Sequence, residues 1–173
     1  MTMQGAVVLV TGATARIGLH TAQRLAALGA QVVVTGREEA RGHAAVQQLR
    51  RRAGHDQVRF MATEHATVAG NLALARRLSG ELGRLDVLVN NVGGSPGGQR
   101  RVTEDGYEAT LATNFVGPAA LITGLLPLLR SGTPARVVTV ISSAHAMWKR
   151  DRSPTSTPSE ATSASRPTPT PSC

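Results

Sequence analysis

Short, unbroken apolar runs alternate with longer stretches in which apolar residues recur every three to four positions. The first run, residues 6–11 (AVVLVT), is rich in valine and closed by Gly12, the pattern of a strand buried on both faces. Residues 17–29 place Ile17, Ala22, Leu25 and Leu28 at helical spacing and end on Gly29, a C-cap signal. The alternation continues with a strand over Val32–Thr35, a charged helix over 38–53 and a strand over Val58–Met61. A helix over 67–83 follows, with Val68, Leu72, Ala75 and Leu78 on one face. Asp86–Asn90 is a fourth strand, followed by a glycine-rich loop over 93–98. Residues 104–130 are expected to be mostly helix, bent or segmented at Pro118 and Pro127, before a fifth strand over Arg136–Ile141.

Strands without period-2 alternation, joined by helices, predict a parallel sheet covered on both faces, wound with right-handed crossovers. This is a doubly wound α/β domain, expected over residues 1–149. Beyond it, residues 153–173 are almost entirely Ser, Thr, Pro and Ala. Such a segment buries too little surface to offset its ordering entropy, so a disordered tail is expected over 150–173. The sheet is then incomplete after its fifth strand, which is expected to leave a valine-rich edge unpaired.

Composition narrows the picture. Hydrophobic residues make up 41% of the 173 residues but aromatics only 2%, so the core must be aliphatic. The single cysteine, Cys173, rules out an internal disulfide. No charged-then-apolar leader precedes the first strand, and no apolar run looks long enough to span a membrane. A cytoplasmic protein is expected. The net charge of +8 comes almost wholly from arginine, Lys149 being the only lysine. The arginines are scattered over helices and tail, a distribution closer to GC-rich codon usage than to a nucleic-acid-binding face.

The first strand–helix turn, Thr11–Gly18, reads TGATARIG. A glycine directly after a buried strand permits a tight turn. A second at the helix start lets the backbone approach a pyrophosphate, towards which the helix N-terminus points free N–H groups. The second strand ends VVVTGREEARG: Gly36 stands where an acid would hold a ribose 2′-hydroxyl, and Arg37 follows. A guanidinium clamps a 2′-phosphate through paired, charge-assisted hydrogen bonds, so NADP(H) is expected over NAD(H). The bland alternative is that Arg37 only opens a charged helix beside Glu38 and Glu39.

These segments, with DVLVNNVGG (86–94), TNFVGPAALI (113–122) and VISSAHA (140–146), resemble the short-chain dehydrogenase/reductase family in order and spacing over residues 5–149. TGREEARG and His145 resemble its retinol-dehydrogenase-like branch. The cofactor loop resembles TGxxxGxG, with Arg16 in place of the middle glycine, as in the pteridine-reductase branch. Arg16 there either reaches the cofactor phosphates or is a solvated residue at a helix start. The resemblance implies a Rossmann-type fold and hydride transfer between a nicotinamide cofactor and a small alcohol or carbonyl substrate. It implies cofactor contacts from Thr11, Gly12, Thr14, Ala15, Arg16, Ile17, Gly18 and Arg37. It adds Glu64 and His65 after the third strand, where Glu64 takes the place of an adenine-side Asp, and Asn90, Asn91 and Gly93 after the fourth. Asn114 would help to hold a proton-relaying water and Ser143 would bond the substrate carbonyl. No metal is implied; His65 has no second ligand at useful spacing. Family members are often dimers or tetramers through the long helix and its successor, and loss of the successor weighs against an oligomer here.

The family's YxxxK motif is absent: Tyr107, the only tyrosine, has no lysine four places on. An unassisted tyrosine, with a pKa of about 10, is a poor acid–base near neutrality. Impaired turnover is therefore expected. A binding module without chemistry and a gene product without function are the alternatives. Codon degeneracy also permits a shifted frame from Pro167 onward that reads Tyr-Ala-His-Ser-Lys-Leu, so the tail is open to being a frameshifted catalytic segment.

Overall fold

The computed structural model describes residues 2–94, 100–131 and 134–142. The chain divides into one unit over Met1–Ile141 and another over Ser142–Cys173, of which only Ser142 is described. The boundary thus falls a few residues before the one expected from composition. The tail expected to be disordered, Ser143 and His145 lie outside the described residues.

In the first unit the strands are β1 (Val7–Val10), β2 (Gln31–Gly36), β3 (Val58–Ala62), β4 (Val87–Asn90) and β5 (Arg136–Thr139). All pairs are parallel, in the order β3-β2-β1-β4-β5. The connections run through α1 (Arg16–Ala27), α2 (Glu39–Ala53) and α3 (Val68–Glu81), then α4 (Ala109–Leu111), a π-helical turn (Ala112–Val116) and α5 (Gly117–Ser131).

Strands with both faces apolar acquire helices on both faces. On one side Val8, Val10, Val32, Val34 and Val89 pack with Ala22 and Ala26 of α1 and Val46 and Leu49 of α2. On the other, Val7, Leu9, Val33 and Leu88 pack with Leu74 and Leu78 of α3 and Leu121, Leu125 and Leu128 of α5. The dearth of aromatics is met by small residues that bring layers close: a side chain at Gly124 of α5 would press on Ala75 of α3, 2.7 Å from its Cβ. β5 is the exception. Its four residues are all exposed, Val137 at 44% and Val138 at 48%, and among the described residues it pairs only with β4. This is the expected valine-rich edge.

Three expectations about the long helix change. It starts at Ala109, not 104, because Gly106 (φ +81°) turns the chain back, with Val102 and Glu108 forming an antiparallel bridge. Glu108 then caps α4, accepting from Thr110 N–H and Leu111 N–H. Its carboxyl is held below the usual range by those backbone donors. Pro118 does segment the helix. It has no N–H for the carbonyl four residues back, and the ladder resets with Gly117 N–H donating five residues back to Ala112. Pro127 sits inside α5, which continues through it. Helix 109–131 is also long and apolar enough to cross a membrane, contrary to the sequence expectation. Its leucine stripe packs on α3 within the domain core.

Candidate functional site

The strand order reverses direction between β1 and β4, and ligands of open α/β sheets bind outside the C-terminal ends of strands at such a point. Here the polar groups of the first turn divide into two sets. Thr11 is fully buried; its hydroxyl accepts from Asn91 N–H and Val92 N–H, both at 3.0 Å, and donates to the Val89 carbonyl. The Asn91 amide donates to the carbonyls of Thr11 (2.9 Å) and Gly12 (3.1 Å). Gly12 N–H donates to the Thr35 hydroxyl and Ala13 N–H to the Thr35 carbonyl. This first set ties β1 to β2 and β4. The second set is the start of α1. Its N-cap, Ala15, has no side chain to cap with, and no acid lies in the first turn. Ala15, Arg16 and Ile17 are exposed, so their N–H groups and the positive end of the helix are open to an anion.

The glycines are required by close approach. Gly12 has φ +63°, and a Cβ there would lie 3.0 Å from Val92 Cα. A Cβ on Gly18 would collide with the Asn91 amide and lie 2.7 Å from the Gly12 carbonyl oxygen. At the end of β2, a Cβ on Gly36 would meet the Thr14 methyl at 2.7 Å, so an acidic side chain does not fit there without displacing the Thr14 side chain. Arg16 is the one non-glycine residue at positive φ (+51°) among the described residues, in the place where glycine costs nothing. The backbone thus keeps the glycine-type conformation despite the arginine. Arg37 is exposed just beyond β2. Glu38 pairs with Arg41 at 3.1 Å, which leaves Arg37 without an ion-pair partner among the described residues.

The remaining predicted residues fall into three groups. Glu64 is exposed in the turn after β3, its carboxylate accepting from Ala66 N–H. Gly93 is exposed, and Asn114, on the π-helical turn, clamps its neighbour: the Asn114 amide donates to the Gly94 carbonyl (3.0 Å) and accepts from Gly94 N–H (2.9 Å). Thr11, His65 and Asn90 do not face outward. His65 is only 3% exposed and spends both ring nitrogens on Thr35 and Asn71. Burial pushes its pKa down. Asn90 is 2% exposed and both its amide atoms lack a protein partner. The His65 contacts were missed at the sequence level because Thr35 and Asn71 read as an ordinary strand residue and an ordinary helix residue.

A hollow of about 320 Å³ lies at the opposite ends of the strands, beside Val7, Gln31, Arg50 and Arg59. Its arginines are already paired, Arg59 with Glu81 at 2.9 Å and Arg50 with Asp56 at 4.0 Å, so the reversal point is the better site. Among the described residues no cluster of His, Cys, Asp or Glu could hold a metal.

The family model described as short chain dehydrogenase matches residues 6–153. The chain belongs to that family. It is 39% identical over 149 residues to human dehydrogenase/reductase SDR family member 13, covering 86% of this chain and 39% of that protein. It is 43% identical over 147 residues to mouse polyprenol dehydrogenase, covering 82% and 43%. Similarity to mouse retinol dehydrogenase 14, 37% over 150 residues and covering 81% and 45%, fits the retinol-dehydrogenase-like branch. The fold is shared with the Pseudomonas aeruginosa RhlG/NADP active-site complex (TM-score 0.71, 32% identity, 82% of this chain and 56% of that one). A putative short-chain dehydrogenase from Pseudomonas syringae is equally similar (TM-score 0.73, 30% identity, 85% and 62%). The chain spans less than half the length of these curated relatives.

Proposed function

We propose that this chain binds NADP(H) at the β1–β4 reversal point, as part of an oxidoreductase that exchanges hydride with a small alcohol or carbonyl compound. The observation that carries this is the uncapped start of α1 over a loop built from Gly12 and Gly18. A pyrophosphate there would be held by the N–H groups of residues 15–18 and the helix dipole. Gly36, packed on Thr14, removes the acid that a ribose 2′-hydroxyl calls for, and the unpaired Arg37 offers a guanidinium to a 2′-phosphate. Glu64 borders the adenine side. A nicotinamide held in this family's manner gives or accepts the hydride. The chain's own contribution near that end is Asn114, which fixes the loop after β4, together with Ser143 by resemblance.

Turnover is a separate matter. Proton transfer needs an acid–base at the substrate oxygen, and the sequence offers neither a Tyr-Lys pair nor a substitute at that spacing. Tyr107 lies in the loop before α4, its carbonyl accepting from Thr103 N–H. This favours binding without efficient chemistry as the second reading. Titration of the purified chain with NADPH and NADH tests the first reading: tight, NADPH-preferring binding supports it, and a folded chain that binds neither refutes it. Carbonyl reduction with NADPH would refute the second. The coding DNA tests the frameshift, since a third base other than T at the Pro167 codon excludes the Tyr codon.

A further inference from the structure

Behind the phosphate loop lies a buried hydrogen-bond chain whose direction can be worked out. The Asn71 amide nitrogen donates both hydrogens, to the carbonyls of Thr67 (2.7 Å) and His65 (3.0 Å). Its oxygen therefore faces His65 Nδ1 at 2.8 Å and can only accept. Nδ1 must carry the proton, and Nε2 is bare. The Thr35 hydroxyl, 2.7 Å away, donates to Nε2 and in turn accepts from Gly12 N–H at 3.3 Å. One polarised chain thus runs from the first glycine of the phosphate loop, through β2 and the turn after β3, to the start of α3. His65 follows Glu64, so the same chain joins the expected adenine side to the expected phosphate side.

We propose that neutral His65 is a positioning residue for the dinucleotide, acting through Thr35 on Gly12 and loosening the phosphate loop when protonated. This rests on the cofactor reading above. A second ring proton would sit on Nε2, facing the Thr35 hydroxyl hydrogen. The Thr35 oxygen would then accept from Nε2–H as well as from Gly12 N–H, and the hydroxyl hydrogen, turned away from the ring, would lose its acceptor in a buried place. The groups packed around the ring offer an imidazolium little support. β2 contributes Thr35, with the exposed cation Arg37 beyond it, and α3 contributes Asn71; α5 approaches the His65 carbonyl oxygen at Gly117. The acids nearby are Glu64 on the same turn and Asp105, which accepts from Val68 N–H at the head of α3. Burial outweighs the Asn71 hydrogen bond and the Glu64 charge, which favours the neutral ring.

The test uses the full chain and the variants Thr35→Val, Thr35→Ser and His65→Leu. NADPH affinity is measured from about pH 5 to 8, the range in which imidazole changes charge, and the Gly12 amide is followed by NMR without ligand. Wild type is expected to lose affinity towards low pH. Thr35→Val is expected to bind roughly five-fold more weakly near neutrality, the scale of one lost hydrogen bond, with a flattened pH profile and a shifted Gly12 amide. Thr35→Ser restores both, and His65→Leu, if it folds, behaves as Thr35→Val does. Wild-type affinity and pH profile in Thr35→Val would overturn the proposal. A wild-type chain that binds neither dinucleotide overturns it together with the cofactor reading. A Gly12 amide that still responds to Thr35→Val then separates that failure from a failure of the hydrogen-bond chain itself.

Discussion

Helices α1 and α3 both begin at the C-terminal edge of the sheet, yet their first turns are finished differently. α3 is closed: the Thr67 hydroxyl accepts from Gly70 N–H at 3.1 Å, and Asp105 accepts from Val68 N–H at 2.7 Å. α1 begins on Ala15 with no cap and no acid in its first turn. A missing cap costs about 1 kcal/mol. The folded chain tolerates that cost at the strand-order reversal and avoids it two strands away. The difference is the one on which the proposed anion site rests: the start of α3 is completed by its own protein, and the start of α1 is left open with no acid in its first turn.

Substitutions can break or sharpen this contrast. The largest effect is expected from Gly18→Ala, which forces a methyl into the Asn91 amide and the Gly12 carbonyl. Destabilisation by about 2 kcal/mol and loss of measurable dinucleotide binding should follow, read by thermal melting and calorimetry. Ala15→Asp closes α1 as α3 is closed. It should stabilise the ligand-free chain by roughly 0.5–1 kcal/mol and weaken NADPH binding about ten-fold, because the carboxylate now occupies the anion's place. An unchanged affinity would show that phosphate does not bind there. Arg37→Ala should cost NADPH roughly ten-fold in affinity and leave NADH unaffected, as seen in parallel titrations. Thr67→Ala, the control at the closed helix, should lower stability by about 1 kcal/mol with no change in affinity for either dinucleotide.

A pH scan adds a signature of the buried chain behind the loop. His65 has a folded pKa below its ordinary value of 6.5 because burial disfavours its charge. The unfolded chain therefore binds the proton first. Stability should be full above pH 6.5 and decline as pH falls below it, in a window that His65→Leu removes.

The core strands were legible because they are short, valine-rich and bounded by Gly12, Gly29 and Gly36. The helix starting at residue 109 was misplaced because Thr103–Gly106 carries no apolar break, only a turn that Gly106 permits. The continuous passage through Pro127 was equally hidden, since Pro118 and Pro127 look alike in sequence. What separates them is local. Pro118 lies in the first turn of α5, directly after the π-helical turn that holds Asn114, while Pro127 lies in a stretch held by Leu121, Leu125, Leu128 and Leu129 against α3 and the sheet. The site residues divide in the same manner. Gly12, Gly18, Gly36 and Arg37 are picked out by position relative to strand ends, which is where the structure places them. His65 is expected at the cofactor, but its ring turns inward to Thr35 and Asn71.

The chain's own pattern determined the number of strands, their burial on both faces and the glycine turn after the first of them. These follow from local composition and period, which depend on few neighbours. Strand order, the reversal between β1 and β4 and the ring orientation of His65 were decided by packing. Each depends on segments 24 to 80 residues apart meeting, as when Asn91 reaches the carbonyls of Thr11 and Gly12. No local period encodes such meetings; they exist only once both faces of the sheet have been covered.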